Sequence, residues 1–193
     1  TYYAIPYGLI AFHGVANENA AETTKLTQTD MDNFKIALWK GVRESVAANT
    51  RTKREQQPRL LLNIVYKEKV KITEKDEKGT EVPKEVPTEY HIGSLEEKII
   101  RNSNVGEEIN IRKVADYTLD PTKLFEAISM VKDKIERIEY CLSPEFCDIF
   151  KTGSNTPSKI DFAKRLKEIA KKNNEESYFE VINLDIDRLS VGV

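Results

Sequence analysis

A chain of 193 residues, 39% hydrophobic and 32% charged, has material for one core-bearing domain and reads as a globular protein on the polar side. It holds no apolar run near the ~20 residues a membrane helix needs, and its start lacks the charged-then-apolar shape of a signal peptide, so a cytoplasmic location is expected. The formal net charge of −2 argues against a uniformly basic nucleic-acid binder and leaves room for a local basic face.

The chain opens on a strand-like stretch with Tyr2, Tyr3, Ile5, Tyr7, Leu9, Ile10, Phe12 and Val15. His13-Gly14 sits where that stretch gives way to a polar segment, a position that ordinarily suits a structural hydrogen-bonder. Thr27 with Asp30 three residues on is a capping arrangement. Met31, Phe34, Leu38, Val42 and Val46 then recur at three- and four-residue steps, which predicts a helix over residues 28–47 with that stripe and the neighbouring Trp39 in the core.

The stretch over residues 49–66 organises the rest. Arg51, Lys53, Arg54 and Arg59 face one negative charge, Glu55, while Gln56 and Gln57 add neutral donors and acceptors. Pro58 stops any helix before it and sets an extended entry into Leu60, Leu61, Leu62, Ile64 and Val65, a run of strand length. Each guanidinium offers a planar fork of donors that matches phosphate oxygens, so cations at the mouth of a rigid strand can receive a row of phosphates. The plain alternative is a solvated basic loop.

Residues 67–89, dense in Lys and Glu, read as a charged insertion, either a long hairpin or a mobile loop. Tyr90-His91-Ile92-Gly93-Ser94-Leu95 reads as a short returning strand, and Ile109, Ile111 and Val114 as another strand or edge piece. Asp120-Pro121 signals a helix start. Leu124, Ile128, Val131, Ile135 and Ile138 step on from it by four and three, which predicts one long amphipathic helix lying on a sheet. Cys141 and Cys147 read as reduced, packed thiols, since no zinc spacing surrounds them. A loop over residues 152–158 precedes a helix over 159–173 with Phe162, Leu166 and Ile169 inward, and residues 178–193 alternate as a strand or strand pair.

Few strands and irregular crossovers favour an α+β class, a modified RNA-recognition-motif (ferredoxin-like) fold with an antiparallel sheet and helices packed on one face. No Gly-rich phosphate loop, His-Glu-x-x-His, Gly-x-Ser-x-Gly or cysteine cluster is present, and the only histidines are His13 and His91. No catalytic residue, metal or cofactor is assigned. The sequence suits a binding module better than an enzyme.

Several segments in order carry a resemblance: Ile5-Pro6-Tyr7-Gly8-Leu9, Phe12-His13-Gly14, Ala37-Leu38-Trp39, Thr50-Arg51-Thr52-Lys53, Gln57-Pro58-Arg59-Leu60, Tyr90-His91-Ile92-Gly93-Ser94-Leu95 and Asp116-Tyr117-Thr118-Leu119-Asp120. Together they resemble the Cas-seven group (RAMP superfamily) of CRISPR-associated proteins, the backbone subunit of type I interference (Cascade) complexes, with subtype I-B nearest. The resemblance spans residues 5–140 and implies one RNA-recognition-like RAMP domain over 1–193 that lacks N-terminal elements of the family. It further implies a non-catalytic subunit that binds CRISPR RNA, self-associates into a helical filament with other Cascade subunits, and meets target DNA through the guide. RNA contact then falls on Arg51, Lys53, Arg54, Gln57 and Arg59, with His13 as a further candidate. An RNA-cleaving RAMP endoribonuclease relative and a protein-interaction scaffold are the rival readings.

Overall fold

The computed structural model describes residues 7–44, 56–75, 80–88, 92–152, 158–173 and 176–186. In chain order the regular elements are α1 (Glu18–Thr24), α2 (Gln28–Glu44), β1 (Leu60–Tyr66), β2 (Lys69–Lys75), β3 (Glu81–Pro87), β4 (Ile100–Ser103), β5 (Tyr117–Asp120), α3 (Thr122–Met130), β6 (Ile135–Leu142), β7 (Lys151–Thr152), β8 (Ser158–Lys159), α4 (Phe162–Ala170) and β9 (Glu180–Asn183). This is the expected α+β class, with antiparallel pairings and a few helices, and it is compatible with an RNA-recognition-like fold.

The central sheet runs in the order β1-β6-β9. The run after Pro58 forms β1, which pairs antiparallel with β6 from Leu60 opposite Leu142 to Tyr66 opposite Ile135. β6 and β9 are parallel, and α4 lies in the crossover that such a pair requires. A bulge leaves Glu136 without a partner, because Val65 faces Arg137 and Tyr66 faces Ile135. The extra residue keeps Ile135 on the same face as Ile138 and Tyr140.

That face holds the main core. Leu62 and Ile64 of β1, with Ile138 of β6, pack with Leu124 and Ile128 of α3 and with Phe162 and Leu166 of α4. Phe150 and Phe162 stack with ring centroids 4.8 Å apart. A second, smaller core lies on the other face, where Ile36 and Trp39 of α2 meet Cys141 and Ile186. Helices therefore cover both faces of the sheet, whereas the sequence reading put them on one.

α2 is pinned by charge as well as by packing. Glu139 points to the α2 side of the sheet, where its Oε2 accepts from Lys35 Nζ at 2.6 Å and Asn63 Nδ2 at 2.8 Å. Its Oε1 accepts from Arg137 Nε at 2.9 Å, and Lys35 also pairs with Asp32 at 2.7 Å. Burial opposes charge at Glu139, but hydrogen bonds from Lys35, Asn63 and Arg137 outweigh it and hold the carboxyl below the usual range. At Lys35 burial is likewise outweighed, by Asp32 and Glu139, and the ammonium titrates above its ordinary value. The α2 start is capped as expected: the Thr27 amide donates to Asp30 Oδ2 at 2.8 Å, and the Asp30 amide returns a bond to Thr27 Oγ1 at 3.2 Å.

Several expectations are corrected. α2 presents Lys35, Ile36 and Trp39 inward, while Phe34 and Leu38 of the expected stripe are exposed, because the Lys35–Glu139 pair sets the rotation of the helix. The long helix expected through Ile138 ends at Met130, and Ile135 and Ile138 belong to β6. Of the strand expected over 90–95, Tyr90 and His91 lie outside the described residues, and residues 92–99 form an irregular loop and turn, with Gly93 at φ +80°, before β4. Ile109 lies in a 3-10 turn, as does Val114. Of the strand-like stretch expected from Tyr2 to Val15, Tyr2, Tyr3 and Ile5 lie outside the described residues, and residues 7–17 carry no regular secondary structure. The 67–89 insertion contains the β2–β3 hairpin, and α4 matches its expected inward residues, with Phe162 and Leu166 fully buried.

Replacing Glu139 with alanine leaves the Lys35 ammonium to Asp32 and is expected to cost about 1.5–3 kcal/mol in urea unfolding. The double change Lys35→Met with Glu139→Leu should recover most of that. The wild-type contribution of Glu139 is present above the ordinary glutamate pKa of about 4.3 and is lost as pH falls through its depressed value. A loss below about 1 kcal/mol would show that the pair does not hold α2.

Candidate nucleic-acid interface

β1 delivers Arg59 to the end of the central sheet. The Ser143 amide donates to the Arg59 carbonyl at 2.9 Å, extending the β1–β6 ladder by one bond and fixing the backbone there. The guanidinium turns back to Glu145, Nη1 to Oε2 2.9 Å, with the Arg59 side chain 21% exposed and that of Glu145 56% exposed. A hydrogen bond from its own amide, helped by Arg59, holds the Glu145 carboxyl below the usual carboxylate range.

A second arginine comes from β4, which pairs with β5 so that Arg101 faces Leu119 and Ser103 faces Tyr117. Arg101 Nη2 contacts Glu108 Oε1 at 2.6 Å, and Glu108 is exposed. Tyr117 is buried, and its hydroxyl lies 3.0 Å from the Tyr7 hydroxyl with ring centroids 5.8 Å apart. Burial, followed by the Tyr7 bond, pushes the Tyr117 phenol far above its ordinary value. The charges of Arg59 and Arg101 act in the opposite direction, so both guanidiniums lie within electrostatic reach of this one hydroxyl.

The arrangement sets two cations within electrostatic reach of a buried, hydrogen-bonded tyrosine. Each arginine spends one nitrogen on a solvent-exposed carboxylate, a pairing worth about 0–1 kcal/mol in water. A guanidinium has five N–H donors, so each could take a phosphate oxygen while keeping its carboxylate, or exchange one for the other. By contrast, the basic stretch around α4 is laced with local pairs: Lys159–Asp148, Arg165–Glu168 and Lys172–Glu176. Among the described residues no three His, Cys, Asp or Glu side chains are grouped to hold a metal ion.

Of the residues expected to contact RNA, Arg51, Lys53 and Arg54 lie outside the described residues. Gln57 is exposed just before Arg59, and His13 is exposed further along the segment that carries Tyr7. The structure thus brings Arg59 together with Tyr7, Arg101 and Tyr117, three residues that the sequence reading did not assign. A signal for two of them was present, since Tyr7 and Tyr117 sit in the first and last segments that carried the resemblance. Arg101 left none, because β4 was not read as a strand.

The model of the family "CRISPR-associated protein Cas7" matches residues 1–121. The chain belongs to the Cas7 family. A CRISPR-associated protein Cas7 from Haloferax volcanii is 27% identical over 134 residues, which cover 69% of this chain and 33% of that protein. The chain thus spans about a third of the length of this Cas7 relative. Tyr7, Arg59, Arg101 and Tyr117 all fall within the matched Cas7 segment, while Glu145 lies beyond it.

Substituting Tyr117 by phenylalanine removes the Tyr7 bond and is expected to lower stability by about 0.5–1.5 kcal/mol in chemical denaturation. Because the folded phenol titrates high, the wild-type advantage is fully present below the ordinary tyrosine pKa of about 10 and declines as pH rises toward the folded value. An advantage that grew between pH 9 and 11 would contradict this sign (about one unit either side of the ordinary value).

Proposed function

We infer that this chain is the RNA-gripping part of a non-catalytic backbone subunit of a type I CRISPR interference (Cascade) complex, nearest to subtype I-B. It holds the sugar-phosphate backbone of the guide RNA, stands beside further copies of itself and other Cascade subunits, and meets target DNA through the guide, in the cytoplasm. The observation that carries the reading is that Arg59 and Arg101, two guanidiniums held by solvent-exposed carboxylates and both within electrostatic reach of Tyr117, lie in the segment matched by the Cas7 family.

The proposed roles are unequal. Arg59 and Arg101 supply guanidinium forks to phosphate oxygens, and Gln57 supplies a neutral donor beside them. Arg51, Lys53 and Arg54, earlier in the sequence, are proposed as further phosphate contacts. The Tyr7–Tyr117 bond ties the segment that carries Tyr7 to β5. No step of bond making or breaking is assigned to any residue.

A backbone-tracking binder shows little sequence preference and a steep salt dependence, about −0.7 in log affinity per log salt for each phosphate neutralised on a single strand. Replacing Arg59 and Arg101 together with alanine should weaken binding to single-stranded RNA and lower that slope by about 1.4, two phosphates' worth. Unchanged binding curves across a salt series would overturn the assignment. Shortened, labelled target RNA appearing in guide-loaded full-length protein with divalent metal would favour the cleaving reading instead.

A further inference from the structure

The β2–β3 hairpin has two edges, and they are not alike. The Thr88 amide donates to the Glu68 carbonyl at 3.1 Å, which fixes the even-numbered residues of β2 as the ones bonded to β3. Lys69, Lys71, Thr73 and Lys75 therefore turn their N–H and C=O groups away from β3. Their partners Pro87, Glu85, Pro83 and Glu81 likewise turn outward on the far edge. Two of those four are proline and have no N–H to offer, so the β3 edge is closed to a further strand. The β2 edge keeps all four amides. Among the described strands β2 pairs only with β3.

The open edge has a chemistry of its own. The Lys67 amide donates to the Lys134 carbonyl at 2.9 Å, and a bend at Glu68 separates that bond from the outward groups of β2. The side chains of Lys69, Lys71, Thr73 and Lys75 share one face, and those of Lys69 and Lys71 are well exposed, with acid contacts of 3.9 Å only. Glu81 and Glu85 lie in the β3 column, farther from the open edge. On the opposite face Val70 is paired with Val86, while Ile72 faces Lys84 and Val82 faces Glu74, with Ile72 and Val82 exposed.

We propose that the β2 edge is a docking site for an extended protein segment of alternating acidic and apolar residues, added as a third strand to the hairpin. Its backbone pairs with the outward groups of Lys69, Lys71, Thr73 and Lys75. Its acidic side chains meet the lysine column, and its apolar side chains cover Val70 and Ile72. The two prolines on the opposite edge direct the addition to this side and prevent the hairpin from extending both ways.

The site is separate from the arginine–tyrosine cluster, so the test is made without RNA and its failure leaves the RNA reading untouched. A capped octapeptide of alternating glutamate and valine is added to the chain, and amide hydrogen exchange is followed residue by residue. Exchange at Lys69, Lys71, Thr73 and Lys75 should slow at least about tenfold, with Glu81 and Glu85 unchanged. Thr73→Pro removes one outward N–H without touching the β2–β3 ladder and should weaken peptide binding at least about tenfold, as the prolines of β3 do for their own edge. If that variant loses the ladder protection of Ile72, the pair Lys71→Glu with Lys75→Glu serves instead and should favour a lysine–valine peptide. Absent slowing, equal slowing by the lysine–valine peptide on the wild-type chain, slowing at the β3 edge, or protection of these amides by single-stranded RNA rather than peptide would overturn the proposal.

Discussion

The antiparallel ladder between β1 and β6 is the constraint on which the rest of the structure depends. Its register, from Leu60 opposite Leu142 to Tyr66 opposite Ile135, decides which residues face each core. Shifting it by one residue would send Leu62 and Ile64 to the α2 side and Asn63 into the main core. The bulge at Glu136 retains that facing at the far end of the ladder. The same register places Asn63 directly opposite Glu139, which builds the charged anchor for α2, and ends at Arg59, whose carbonyl takes the Ser143 amide. The site cation is positioned by the sheet that forms the core.

The two faces of the sheet are stabilised by different physics. The α3–α4 side is a dry, aromatic-rich core in which Phe150, Phe162, Leu124 and Ile128 are almost fully buried. The α2 side has a small apolar patch around Trp39 and relies on a carboxylate surrounded by three donors. A buried ion pair of this kind adds little net stability over a well-packed apolar pair, yet breaking one partner is costly. Its contribution is orientation: it fixes which side of α2 meets the sheet, and so which side, with Phe34 and Leu38, faces outward.

How much was legible in the sequence follows from the range of each interaction. β1 was readable because Pro58 and an unbroken apolar run are local signals, and α4 because Phe162 and Leu166 recur at helical spacing. The Thr27–Asp30 cap was readable for the same reason. The α3–β6 region was misread because Leu124, Ile128, Val131, Ile135 and Ile138 are all buried, and their spacing imitates one helix while belonging to a helix, a turn and a strand. The face of α2 was misread because lysine is ordinarily placed outside, and the partner that draws Lys35 inward is far away in the chain. The candidate site was half legible: Arg59 stood out in the basic stretch, whereas the Tyr7–Tyr117 bond joins opposite ends of the family segment and no local pattern announces it.

The central claim is that guide RNA runs past the guanidiniums of Arg59, at the end of β1, and Arg101. Photocrosslinking of thiouridine-substituted single-stranded RNA to the chain, with the attached peptides located by mass spectrometry, tests it most directly. The account predicts adducts on the peptides carrying Tyr7, residues 51–59 and Arg101. Adducts confined to α4 and its lysines, with none at the end of β1, would contradict it.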